Sequence, residues 1–384
     1  MSSISPVRIR GRAAWSCLGF GKQSHVDALK AGRRGVTALA AELRLGAVNA
    51  GAIDGAREAG DQRPNKLSST VLEALVADAK LTDKECADTA IFVGTTTGVA
   101  ASEEIAYLRD KSLGATWKGQ FLSGGPGRLA AFAADAIGAK GPCFTYTTAC
   151  TATAVGVVMA TRMIRQGRIR RAVVLGLDVL MRMTLEGFRL LQLRSEGGCR
   201  PFDKDRDGLD IGEAVAAVLL EGGEGRFQVL DGAIRHDQGH IAAGSTDGKT
   251  AASVMNGALS RSGITAKQVA AIKAHGTGTP TNDLTELRAL KLVFGDALPA
   301  FTSLKSTFGH TLGASTALEL VAWQWCLEAG FVPGTIGFKT PEPENGFVPL
   351  IEPKPSIGEP RVDLFNSFGF GGTSVSFVLE DRGR

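Results

Sequence analysis

The segment GEAVAAVLLE at residues 212–221 returns as GGTSVSFVLE at residues 371–380, 159 positions later. Each copy opens on small residues, runs through apolar ones and closes on Leu-Glu, as a short buried strand does. A second pair of features recurs at nearly the same distance. Cys150 and His310, 160 residues apart, each stand just before a stretch of small and apolar residues: TATAVGVVMATRMI at 151–164 and TLGASTALELVAWQWC at 311–326. Neither stretch has a polar face, so each is expected to be a helix buried on all sides. A third echo pairs IFVGTTTG at 91–98 with IKAHGTGT at 272–279, though its offset is 181. Self-similarity at long spacing marks an internal duplication, and the halves are placed at residues 1–222 and 223–384.

Around these anchors, short apolar runs alternate with longer Ala- and Gly-rich helical stretches, which is the α/β pattern. Strands are expected at Thr89–Val93, Ala172–Leu177, Ala214–Leu220, Val269–Ala274, Val362–Phe365 and Ser374–Leu379. The 384 residues are 44% hydrophobic and 21% charged with a formal net charge of +4, which suits a globular chain of two units and excludes a disordered tail. Basic residues are not concentrated and aromatics are sparse, so nucleic acid is not an expected partner. No run approaches the ~18 apolar residues of a membrane span, and the first 21 residues lack the apolar core of a secretory leader. The expected setting is the cytoplasm, without membrane insertion. Glycine, at 49 positions, implies many tight turns. Six cysteines without a CxxC pair are expected to be mostly small buried residues, among them Cys143 in its Gly-Pro-Cys turn.

The strongest chemical signal is YTTACTA at 146–152, which sets Cys150 at the mouth of a buried helix. Unpaired N–H groups and the positive dipole end stabilise a thiolate there. A fall of ~2 units from the ordinary ~8.5 makes a thiol mostly thiolate at neutral pH, and that is the expectation for Cys150. His275 follows the apolar strand VAAIKA and leads into Gly276-Thr277-Gly278-Thr279, so it projects from a strand's carboxyl end, where α/β sites lie. His310 starts the second buried helix, whose N-terminus disfavours imidazolium and keeps the ring neutral. Three other motifs are declined. AGSTDGKT at 243–250 has a phosphate-loop spacing but no strand running into it. Asp203, Asp205 and Asp207 begin like a calcium loop whose twelfth position is Ala214. His236 and His240 lack a third ligand, so no metal is expected.

Four motifs in order, TTAC at 147–150, HGTGTPTND at 275–283, KSTFGHTLGA at 305–314 and NSFGFGG at 366–372, resemble those of the β-ketoacyl-acyl carrier protein synthases, condensing enzymes of the thiolase-fold superfamily. RPFDKDRDG at 200–208 is similar too. The resemblance implies a duplicated thiolase-like α/β fold, layered α-β-α-β-α with two mixed sheets and buried central helices. It implies decarboxylative condensation of an acyl thioester with malonyl-acyl carrier protein, with Cys150 as the nucleophile and His275 and His310 as the residues that promote CO2 loss and hold the enolate. Lys305 matches the lysine supporting the second histidine, and Asp283 and Glu319 match buried carboxylates. Phe370 matches a gating phenylalanine whose backbone N–H joins that of Cys150 in an oxyanion hole. Thr277 and Thr279 match threonines that hold a phosphopantetheine arm, which arrives on the carrier, so no resident cofactor is implied.

From the residues alone, Asp283 serves equally well as a helix cap, with Glu286 completing a capping box, or as a network carboxylate. Glu319, in an apolar helix, needs a partner, and Lys305 is the candidate. The implied partners are acyl carrier protein and a second subunit, in a homodimer or a heterodimer with a ketosynthase paralogue. The stretches 98–123 and 178–200 look short for the family, Thr151 replaces a smaller residue, and GEAV at 212–215 lacks a second glycine. These departures point toward a specialised fatty-acid, polyene or polyketide-like pathway. The rival reading is a non-condensing, chain-length-factor-like subunit, which commonly lacks the nucleophile. Thiolases carry a second catalytic cysteine where this chain has Phe370, and initiating synthases have Asn where His310 stands. Because the helix mouth is expected to stabilise the thiolate, Cys150 acylation is expected to survive, in part, the loss of either histidine.

Overall fold

The computed structural model describes residues 6–39, 48–112, 125–237, 246–356 and 358–383. Among them, ten strands form one sheet whose order repeats itself, with the short strand Gly19–Phe20 attached to the first of them. The first five are β1 (Val7–Ser16), β2 (Thr89–Gly94), β3 (Cys143–Tyr146), β4 (Arg171–Asp178) and β5 (Ala214–Gly222). The second five are β6 (Phe227–His236), β7 (Val269–Lys273), β8 (Ala300–Thr302), β9 (Arg361–Phe368) and β10 (Thr373–Asp381). From the centre outward, one half runs β1-β5-β4-β2-β3 and the other β6-β10-β9-β7-β8, the same order displaced by five strands. In each half the inner two pairings are antiparallel and the outer two parallel. The halves meet between β1 and β6 through a single register pair, Arg8 with Gln228. The two expected mixed sheets are therefore five-stranded units joined edge to edge by one backbone pair.

Strand lengths repeat as well. β1 and β6 have ten residues each, β4 and β9 eight, β5 and β10 nine. Strands β2, β4 and β5 are buried along nearly their whole length, which is why they read in the sequence as continuous apolar runs. The strand β1, absent from the sequence-based list, alternates instead. Val7, Ile9 and Ala13 face the core while Arg8 and Arg10 pair with Glu221 and Glu85.

Two helices of 14 residues, α3 (Ala152–Arg165) and α7 (Ser315–Glu328), fill the space between the halves. Numbered in chain order, the outer helices are α1 (Arg63–Ala79), α2 (Gly127–Ile137), α5 (Lys249–Ser262) and α6 (Pro280–Phe294), with α4 (Arg182–Leu190) lying near the site. The helix α3 packs on β2 and β4 of one half and on β6 and β10 of the other, while α7 lies on β1, β4 and β5 and sends Trp323 onto Phe365 of β9. Outside, α1 covers β1 and β5, α2 covers β2 and β3, and α5 covers β6 and β10 with α6 against it. Five layers result, α-β-α-β-α, as expected. Each central helix starts from one 3₁₀ turn, Ala149–Thr151 or Leu312–Ala314, whose first residue has a positive φ, 49° at Ala149 and 50° at Leu312. The structural equivalence of the two mouths is thus 163 residues. The 160-residue link between Cys150 and His310 is corrected: Cys150 lies inside its turn and His310 two residues before the other.

Candidate active site

The end of β7 carries the first part of the site. Beyond Lys273 the chain turns through Gly276 (φ 42°) and Gly278 (φ 81°), backbone states that favour glycine. A Cβ at Gly276 would also lie 2.6 Å from the Ser303 Cβ and 2.8 Å from the Phe202 ring. Two buried carboxylates of α6 hold this loop from behind. Glu286 accepts the N–H groups of His275 (2.9 Å) and Gly276 (2.8 Å), and Asp283 accepts those of Thr277 (2.8 Å), Gly278 (3.0 Å) and Phe202 (2.8 Å). The capping-box alternative is overturned. Helix α6 has Thr279 at its N-cap with no side-chain cap, because both carboxylates are drawn into the loop. Burial pushes both acids up from their ordinary range, against the N–H groups that favour their charged forms.

The second part sits where the two 3₁₀ turns meet. The Thr153 hydroxyl of α3 donates to the Gly313 carbonyl of the other turn, and this cross-half contact brings two helix mouths together. There the His310 Nε2 lies 3.0 Å from the Cys150 Sγ, and the His310 Nδ1 lies 3.1 Å from the Ser315 hydroxyl. The His275 ring stands edge-on to that of His310, with centroids 5.5 Å apart. All three side chains are buried. A hydroxyl both donates and accepts, so Ser315 can satisfy either neutral tautomer of His310. His275 Nδ1 is buried with no hydrogen-bond partner among the described residues.

Beneath the histidines lies a group of three buried charges. Glu319 accepts from Lys305 (2.9 Å) and from Lys273 (2.5 Å), which also donates to the Asn366 carbonyl (2.8 Å). Lys305 is therefore the partner expected for Glu319, and Lys273 is one the sequence reading missed. A lysine inside the apolar run VAAIKA was the available signal, since a buried ammonium must be paired. Burial alone would raise the Glu319 carboxyl, but the two ammonium groups outweigh it and hold it below its ordinary range. Both imidazoles are held well below 6.5, first by burial and then by Lys305 and Lys273. They are neutral, as expected for His310, though desolvation is the principal cause.

The expected depression of the Cys150 thiol is not found. Burial pushes it up to about 11, although Lys305 and the backbone N–H groups of Phe370 and Cys150 pull it down. Complete desolvation of the sulfur outweighs the helix mouth. The thiol therefore needs a proton acceptor, and His310 is in reach, so the expectation that acylation survives the loss of either histidine is corrected for His310. Phe370 occupies the Gly369–Gly372 loop between β9 and β10, with its N–H on the Cys150 sulfur and its ring stacked on Phe188 at 5.6 Å. A cavity of about 540 Å³ opens over Cys150, His275 and His310. Leu191, Leu193 and Leu209 make part of its wall, and Thr277 and Thr279, whose hydroxyls are 2.9 Å apart, line it too.

Other expectations divide. The six cysteines are free, but Cys143, expected to be buried, is exposed on the edge strand β3. Asp203 spends its carboxylate on the N–H groups of Asp205, Lys339 and Thr340, and Asp207 on those of Glu196 and Gly197. No group of three His, Cys, Asp or Glu able to hold a metal occurs among the described residues, and none of their helices is long and apolar enough to cross a membrane. His240, residues 243–245 of the declined phosphate-loop motif and residues 113–123 of one short stretch lie outside the described residues.

Comparison with known proteins follows the two halves. Residues 56–225 match the family model described as beta-ketoacyl synthase, N-terminal domain, and residues 227–339 match beta-ketoacyl synthase, C-terminal domain. A 3-oxoacyl-[acyl-carrier-protein] synthase 2 of Synechocystis sp. is 35% identical over 268 residues, 64% of this chain and 62% of that protein. A nodulation protein E of Rhizobium meliloti is 30% identical over 266 residues, 66% of each chain. The matched region thus spans less than two thirds of the length of these curated relatives. A solved ketosynthase in complex with its chain length factor from Xenorhabdus doucetiae superposes with a TM-score of 0.83 at 25% identity, covering 99% of this chain and 98% of that one. The ishigamide ketosynthase/chain length factor, at 24% identity and TM-score 0.87 over 99% and 100% of the two chains, shares the fold. Since the two domain models of one family together take in most of the chain, in the order and at the boundary of its structural halves, the chain belongs to the beta-ketoacyl synthase family.

Proposed function

We propose that this protein catalyses decarboxylative condensation of an acyl thioester with malonyl-acyl carrier protein, giving a 3-oxoacyl-carrier product. The observation that carries this reading is the Cys150–His310 contact of 3.0 Å, with His275 beside it at the base of the cavity. In the first half-reaction the Cys150 thiol gives its proton to the His310 Nε2 while sulfur attacks the acyl carbonyl. The carrier thiolate leaves and takes that proton, so His310 is neutral again. The tetrahedral oxyanion is held by the N–H groups of Cys150 and Phe370. In the second, the neutral imidazoles of His275 and His310 donate to the malonyl thioester carbonyl. The carboxylate carbon–carbon bond breaks, CO2 departs, and its electron pair is delocalised as the enolate. The enolate carbon attacks the acyl-Cys150 carbonyl and expels the thiolate, which takes up one proton from water and so returns to the resting thiol. Ser315 supports the switch of His310 between accepting and donating tautomers.

Lys305 and Glu319 set the field beneath the imidazoles, and Asp283 and Glu286 fix the loop that carries His275, Thr277 and Thr279. In this reading the two threonines hold the carrier's phosphopantetheine arm, which supplies the thiol itself, so no resident cofactor is required. The protein works with acyl carrier protein and a second subunit, identical or paralogous, in a specialised fatty-acid, polyene or polyketide-like pathway. Support for a dimer comes from β3, a sheet-edge strand that is not fully covered, and from α4, beside which Met183, Leu190 and Leu191 are exposed. The proposed setting is the cytoplasm, where six free thiols stay reduced. A chain-length-factor-like role makes no use of an intact nucleophile in contact with a histidine.

Incubating the purified chain with acyl-carrier and malonyl-carrier is expected to give acyl-Cys150, CO2 and a 3-oxoacyl product by mass spectrometry. Acylation without CO2 release, alone and with any paralogue added, would overturn the condensing role. Sedimentation is expected to show a dimer burying more than ~2,000 Å²; a fully active monomer contradicts that part.

A further inference from the structure

The Lys273 ammonium is surplus to the neutralisation of Glu319. One lysine, Lys305, already pairs with that carboxylate, and burying a second ammonium costs several kcal/mol. Lys273 nevertheless ends β7 fully buried, on the other oxygen of Glu319 and on the Asn366 carbonyl, with its Nζ 5.9 Å from the centre of the Phe365 ring. It also joins the two supports of the site. Asn366 donates from its side chain to Glu286 (3.1 Å), which holds the His275 backbone, while Glu319 and Lys305 lie beneath His310. Burial is the largest influence on the Lys273 ammonium and pulls it below the ordinary lysine range; Lys305, from the turn before α7, adds to this, while Glu319 from α7 and Glu286 from α6 oppose it and favour the charged form. With both lysines protonated on Glu319, these three residues carry a net charge of +1, and without Lys273 they are neutral.

We propose that Lys273 is a positioning residue of the condensing site: by making the Lys305–Glu319 group net positive, it biases the pocket below His275 and His310 toward holding negative charge on substrate. This inference rests on the condensing reading. It assigns to Lys273 the work of favouring the enolate over protonated imidazole, because a fixed positive charge in a buried site repels a second proton and attracts an oxyanion. Lys273 touches neither Cys150 nor the histidines, so it acts through the field and through the Asn366–Glu286 link.

The test compares K273M, K273R, E319Q and the double variant K273M/E319Q, whose Lys305 alone restores +1. Two readouts are needed: malonyl decarboxylation against pH, and NMR titration of the five labelled histidines without substrate. For K273M the expected result is kcat lower by roughly tenfold with KM for malonyl-carrier little changed, and the acid limb shifted up by about one pH unit. The titrations of His275 and His310 move up with it. E319Q moves them the other way, K273R keeps the parental profile, and the double variant returns toward it. Unmoved histidines in K273M, or a double variant displaced further than K273M, overturn the proposal. If K273M fails to fold, the sign of the E319Q shift and the K273R profile still decide it. A parent protein that releases no CO2 removes the condensing reading, while the NMR titration independently judges Lys273.

Discussion

Adding one methyl group at Gly369 is expected to slow both half-reactions by about 10²-fold without unfolding the protein. Gly369 precedes Phe370, whose N–H reaches the Cys150 sulfur. Its φ lies outside the left-handed region, so alanine adopts it without backbone strain. The new Cβ, however, would stand 3.1 Å from the Thr148 carbonyl oxygen and 3.2 Å from the Thr151 Cγ2, where ordinary contact begins near 3.4 Å. Both neighbours belong to the turn that presents Cys150, and Thr151 is pinned by its own bond to the Thr148 carbonyl (2.7 Å). The loop therefore yields instead, by a few tenths of an ångström. It cannot slide as a unit: the Gly369 N–H is tied to the Thr373 carbonyl at 2.8 Å, and Gly372 sits so close to the Asp237 carbonyl that a Cβ there would lie 2.2 Å away. The displacement falls on the Phe370 N–H. Losing one preorganised oxyanion donor typically costs ~10² to 10³ in rate, or about 2.7–4 kcal/mol, and the lower end applies to a donor that is moved rather than removed. Rapid-quench acylation of G369A by acyl-carrier, followed by mass analysis of Cys150 and by thermal melting, measures the effect. Acylation within threefold of the parent at unchanged Tm would refute the argument that this loop donates to the oxyanion.

Replacing His275 or His310 by Ala is expected to cut malonyl decarboxylation by at least ~10²-fold, the value of one donor, with carrier-bound CO2 release as the assay; a loss below threefold from either contradicts the shared enolate site. Cys150→Ala should leave no acyl group on the chain by peptide mapping, and label found on exposed Cys143 or elsewhere counts against the assignment. His25, buried with its ring between the Ser16 hydroxyl (2.9 Å) and the Gly21 carbonyl (2.7 Å), is pushed down to about 4 by burial. The unfolded chain therefore binds more protons below pH 6.5, and stability present above that value falls by about 3 kcal/mol as pH drops toward 4; urea unfolding of the parent and of His25→Gln should differ in pH slope, and equal slopes defeat the claim. Asp283→Ala strands the buried N–H groups of Thr277, Gly278 and Phe202 and is expected to cost about 3–5 kcal/mol, read as a lower urea midpoint; an unchanged midpoint shows that the loop stands without it.

The duplicated fold was legible because it rests on local patterns. Strands buried on both faces are continuous apolar runs, and the two central helices have no polar face, so β2, β4, β5, β7, β9 and β10 and both helices could be found within a few residues of their ends. β1 was missed although its alternation of Val7, Ile9 and Ala13 with Arg8, Arg10 and Arg12 was present, because arginines suggest solvent until their partners Glu221, Glu85 and Glu328 are known. β6 was missed too, its apolar residues interrupted by Asp231-Gly232, and short β3 and β8 carry too few residues for any periodicity.

The residue types of the site were likewise written locally: a cysteine and a histidine at two helix mouths, and a second histidine at a strand end. Their arrangement was not. Cys150 and His310 meet only because the halves pack their 3₁₀ turns together, and Lys273, Glu319 and Asn366 converge from positions 46 and 93 residues apart. The ionisation of the site belongs to the tertiary structure for the same reason. A helix terminus can be read from sequence and predicts a thiolate, but the desolvation that lifts Cys150 and lowers both imidazoles exists only once the two halves close around them.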